Sequence, residues 1–64
     1  MKNIQVTNTQ LNHRIQDVSI LFDDFDQYEA SIEIENFVKQ GFKVLTALHD
    51  EDSENEVYLR KVFN

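Results

Sequence analysis

A chain of 64 residues with no cysteine, no proline and one glycine is a single small domain whose core forms without disulfides or thiolate-bound metal. At this length only about 60% of the surface of the unfolded chain is buried on folding, so the 41% apolar share, with five Phe and two Tyr, must be placed efficiently. The net charge of −6, twelve acids against six bases, disfavours direct binding to nucleic acid, because that affinity comes from Lys and Arg displacing counterions.

The distribution of charge says more than its sum. Six acids and no base lie between Asp23 and Glu35, and five acids and no base between Asp50 and Glu56. Elsewhere Lys2, Arg14, Lys39, Lys43, Arg60 and Lys61 stand against Asp17 alone. The expected partner is therefore a basic protein surface. No apolar run approaches the roughly 18 residues of a membrane span, and MKNIQVTNTQ at the start lacks the apolar segment of a signal peptide. Both features point to a soluble, cytoplasmic protein with no membrane contact.

In chain order, Ile4 and Val6 alternate with Asn3, Gln5 and Thr7, which predicts a short half-buried strand. The polar NTQLN that follows, residues 8–12, has the composition of a loop. Residues 13–23 support two readings. Val18, Ile20 and Phe22 share one side of a strand, while Leu11, Ile15, Val18 and Phe22 form an amphipathic stripe at helical spacing. Both bury Val18 and Phe22, and the β-branched Val18 and Ile20 tilt the balance toward a strand over residues 18–23.

A helix is predicted over about residues 25–40. Asp24 or Asp26 can cap its free N–H groups, and Glu29 suits the positive end of the helix dipole. Ala30, Ile34, Phe37 and Val38 fall on one face at i, i+4, i+7 and i+8, flanked by Tyr28 and Ile32. Lys39 suits the last turn, and Gly41 can take the left-handed conformation that ends a helix. Next, FKVLTALH at residues 42–49 carries apolar residues on both sides, the pattern of a central strand. The acidic DEDSENE turn leads to VYLRKVF, and a strand over about residues 56–63 completes a C-terminal β-hairpin. Arg60 and Lys61 there suit an edge strand that resists further pairing. The fold class expected is α+β, one helix on a small, mainly antiparallel sheet, spanning the whole of residues 1–64.

Catalytic chemistry finds little support. His49 and Asp50 are neighbours in sequence but point to opposite sides of a strand, His13 lies in a loop, and no nucleophile accompanies either, so the protein is expected to be non-enzymatic and without cofactors. Counting from Asp50 or from Asp24, the acidic runs lack the glycine that a calcium loop needs at its sixth position, so no metal site is expected. Aromatic residues are not interleaved with bases as a nucleic-acid platform requires. They belong to core or interface, with Phe25 and Tyr28 the most exposed because they flank the acidic helix start.

The remaining feature is the charge. A solvated acidic face that keeps a small protein soluble explains it at the least cost in assumptions. The functional alternative is a partner-binding array of Asp23, Asp24, Asp26, Glu29, Glu33, Asp50, Asp52 and Glu54, with Phe25 and Tyr28 as apolar anchors, that competes with nucleic acid for a basic groove. Action by charge mimicry is what the acidic array itself suggests; the order strand, acidic helix and then Gly-Phe-Lys-Val at residues 41–44 loosely resembles small phage-encoded inhibitors of host RNA polymerase, which implies a phage or bacterial setting and an inhibitor or regulator. The other reading is a small structural module that forms a homodimer or a larger assembly through an apolar face of its sheet.

Overall fold

The structure, a computed structural model, describes residues 3–63. Its elements are β1 (Ile4–Asn12), β2 (Ile15–Asp23), a short 3-10 turn (Asp24–Asp26), α1 (Gln27–Lys39), β3 (Lys43–His49) and β4 (Glu54–Val62). The four strands form one antiparallel sheet in the order β1-β2-β4-β3. The class is α+β, one helix on an antiparallel sheet with a C-terminal hairpin, as the hydrophobic periods predict. β3 and β4 begin and end within two residues of the expected bounds.

Pairing shows why one face of the sheet is buried. Val18 lies opposite Leu59 and Ile20 opposite Val57 across β2 and β4, while Ile4 lies opposite Phe22 across β1 and β2. Residues directly opposite one another project to the same side. Val18, Ile20, Phe22, Val57 and Leu59 therefore form one apolar surface, and they are buried together with Ala30 and Phe42. From the helix, Ala30 is fully enclosed, and Ile34 and Phe37 pack at its sides. Val38, expected on the same face, is instead 47% exposed: the stripe that meets the sheet is narrower than the sequence suggests.

The end of the helix is well determined. Gly41 has φ of 102°, and a side-chain carbon there would make only an ordinary 3.4 Å contact with Lys61 Cε. The left-handed backbone, not lack of space, requires glycine. Gly41 N–H donates to the Val38 carbonyl at 3.0 Å and Phe42 N–H to the Phe37 carbonyl at 3.1 Å, the paired bonds of a Schellman ending. The accompanying apolar contact is Phe37 against Phe42, edge to face at 5.3 Å between ring centres.

Four local expectations are corrected. Residues 8–12 are strand, not loop: β1 runs to Asn12 and β2 begins at Ile15 rather than Val18, because a strand with one neighbour tolerates polar residues on both sides. Capping at the helix start falls to Asp23, whose carboxylate accepts from Phe25 N–H at 3.0 Å, while Asp26 makes no such bond. β3 is an edge strand, not a central one, and every residue in it is exposed. β4, expected at the edge, lies inside the sheet between β2 and β3. β2 and β3 therefore run parallel with β4 between them, and no direct parallel pair forms.

A candidate acidic docking end

All strands run along one axis, so the register sorts charge by position. β2 ends where β4 begins, with Asp23 opposite Glu54, and β3 ends beside the same point, with His49 opposite Asn55. The helix starts there too. The two acidic runs, far apart in sequence, thus converge on one end of the sheet, and Asp24 N–H donates to the Ser53 carbonyl at 3.1 Å to join them. At the opposite end lie Lys43 opposite Arg60, Lys61 near Gly41, Lys39 in the last helical turn, and Arg14, whose carbonyl accepts from Phe63 N–H at 2.7 Å. Among the described residues the acidic end holds no lysine or arginine.

Three acids at this end have structural duties, Asp23 as the cap already described and Asp24 and Asp50 as follows. Asp24 Oδ1 accepts from Asn55 Nδ2 at 2.6 Å, and His49 Nε2 lies 3.3 Å from the same oxygen. The Asn55 amide first, with His49 and Gln27 adding to it, holds the Asp24 carboxyl below its ordinary value against an opposing effect of desolvation. The Asp50 carboxylate closes its own turn, accepting from Asp52 N–H at 2.8 Å and Glu54 N–H at 3.3 Å. Ser53 then takes a positive φ of 63°, so the acids of this loop are presented by a fixed hairpin turn.

Asp26, Asp52 and Glu54 project near them. Phe25 is 95% exposed and Tyr28 76% exposed, so two aromatic side chains stand in solvent beside the carboxylates, as their position at the helix start predicts. An open cavity of about 440 Å³ lies at this end, with Ile4, Leu21 and Phe22 on its apolar side and Asp23 and Glu54 on its acidic side. Its lining suits the apolar stem and cationic head of a lysine or arginine. Of the ten expected partner-binding residues, Asp23, Asp24, Phe25, Asp26, Tyr28, Asp50, Asp52 and Glu54 gather at this end. Glu29, in the first helical turn, borders this end, while Glu33 lies roughly 9 Å along the axis from the helix start. Sequence reading missed His49 and Asn55 as the groups that orient Asp24. The only signal for them, polar residues flanking an acidic turn, is too common to single them out.

The helix-free face of the sheet differs. Across its two inner strands, toward the basic end, Arg60 donates to both carboxylate oxygens of Asp17, Nε to Oδ1 at 2.7 Å and Nη2 to Oδ2 at 3.0 Å. This paired bond, reinforced by the opposite charge, lowers the Asp17 carboxyl from its ordinary value and raises the Arg60 guanidinium. Nearby, the Glu56 carboxylate holds the Tyr58 hydroxyl above its ordinary pKa. Charged and apolar side chains thus share this face.

Among the described residues, no three His, Asp or Glu side chains converge as metal ligands would, and no helix is long and apolar enough to cross a membrane. Comparison with protein-family models, curated proteins and solved structures returns no match.

Proposed function

We propose that this chain is a non-enzymatic acidic binding protein, an inhibitor or regulator that docks its acidic sheet end on the basic surface of a nucleic-acid-binding protein and so occupies the place of a phosphate backbone. The convergence of two separate acidic runs beside the exposed Phe25 carries the reading. Clustered charge of one sign steers a basic partner toward the site, and an aromatic side chain supplies the desolvated anchor that charge alone lacks. The apolar and acidic cavity next to it accepts one basic side chain of the partner.

The test is capture from a bacterial lysate, with RNA polymerase as the first purified partner to offer, at low and at physiological salt. Asp52→Lys with Glu54→Lys reverses charge while sparing Asp24 and Asp50, whose carboxylates hold the turn together. Binding should fall on charge reversal, weaken with salt and be competed by DNA. Phe25→Ala should reduce it with the fold intact. Capture indifferent to both salt and charge reversal overturns the reading.

A second reading, an assembly module, draws support from the edge of the sheet rather than from its open face, where the Asp17–Arg60 pair sits among the apolar side chains.

A further inference from the structure

The sheet has two edges, and they differ in how they are guarded. β3 carries Lys43 at its start, a register shift between Val44 and Thr46, and the acidic loop directly after His49. A bulge and charges are the devices that keep an edge from pairing. β1 is less guarded: its register shift lies near its end, between Gln10 and Asn12. Its nine residues, Ile4–Asn12, contain no charge, no proline and no glycine, and its register against β2 is regular from Ile4 to Gln10. It is exposed along almost its whole length, with Val6 and Leu11 among the exposed apolar residues.

We infer that β1 is the contact between two copies of this chain, paired antiparallel about a two-fold axis to join two four-stranded sheets into one of eight strands. The direction follows from charge. β1 runs from the acidic end of the molecule to the basic end, so antiparallel pairing sets each acidic end beside the basic end of the other copy, whereas parallel pairing sets like beside like. Two-fold pairing also closes the assembly at two, because it uses the same edge of both copies. The register that employs the regular segment places Thr7 of one copy opposite Thr7 of the other and Ile4 opposite Gln10. Threonine pairs across antiparallel strands are favourable. The pairing engages the backbone of Ile4 and Gln5 at the rim of the cavity but leaves the helix start and the acidic hairpin loop of each copy uncovered, and the inference stands independently of the function proposed above.

Sedimentation over a concentration series tests it. The unmodified protein should pass from monomer to dimer, with no larger species. Thr7→Lys with Thr9→Lys, both exposed positions, brings ammonium groups opposite and diagonal to one another and should weaken the dimer roughly tenfold, while circular dichroism stays unchanged. Mixing Thr7→Lys with Thr7→Glu should restore a dimer containing one of each. A protein that is monomeric at every concentration overturns the proposal, as does a dimer that the lysine substitutions leave intact. Should the double variant fail to fold, the sedimentation of the unmodified protein and the mixing experiment decide.

Discussion

The two ends of the sheet carry opposite charge and use it differently. At the basic end three of the five cations are engaged within the fold: Arg60 grips Asp17 across β2 and β4, Lys39 lies 3.4 Å from Glu35 one helical turn away, and Lys61 sits 5.0 Å from the centre of the Phe63 ring. At the acidic end, carboxylates bond to backbone N–H groups, an asparagine amide and a histidine, and their negative charge is left largely uncompensated. Much of the charge at the first end is tied into the fold, while at the second more of it is available to a partner.

The largest expected effect comes from removing what both ends rest on. Ile20 and Leu59 are fully buried at the centre of the core, and Ile20→Ala or Leu59→Ala should cost about 2–5 kcal/mol. Total stability for small domains is on the order of 5–15 kcal/mol, and a chain this short sits low in that range. Thermal unfolding followed by circular dichroism should show either variant largely unfolded near body temperature. Next in size, Gly41→Ala loosens the basic end alone, forcing a side chain into left-handed backbone at a cost of about 1–2 kcal/mol, with a matching loss in urea midpoint.

Acid separates the ends further. Asp17 and Asp24 both have carboxyl groups held below the ordinary value of 3.8, so each contributes stability that is present above that value and lost as pH falls through the lower folded value. Asp17→Asn should lower the melting temperature at neutral pH, and the difference from the unmodified protein should shrink as the solution is acidified past that range. An offset that stays constant into strong acid would show that the Arg60 pair is not its source. The smallest effect runs the other way. Ser53 adopts a positive φ, and Ser53→Gly should stabilise the acidic hairpin by up to about 1 kcal/mol, sharpening the presentation of Asp52 and Glu54 without changing their charge.

Much of this was legible in the residues. The helix, its stop at Gly41 and the exposure of Phe25 and Tyr28 follow from periodicity, one glycine and position. Strand order did not, because alternation tells which face a residue takes and not which neighbour the strand has. The two-sided apolar pattern of β3 matches a central strand, yet Leu45 falls in the register shift and is 53% exposed. Arg60 suggests an edge until Asp17, 43 residues away in sequence, is found holding it. For the docking end, composition supplied the acids, but their convergence depends on β4 lying beside β2, a pairing no local pattern encodes.

The place of β4 has a further consequence, for kinetics. It comes after every other described element in sequence, yet it separates β2 from β3 and contributes Val57 and Leu59 to the core. The β1–β2 hairpin and the α1–β3 segment therefore share no sheet contact until β4 arrives, and partial assembly from either half gains little. Folding should be a single cooperative event, slowed by the long chain loops that β4 must close, and proteolysis within β4 should release the whole molecule at once rather than trim one strand from it.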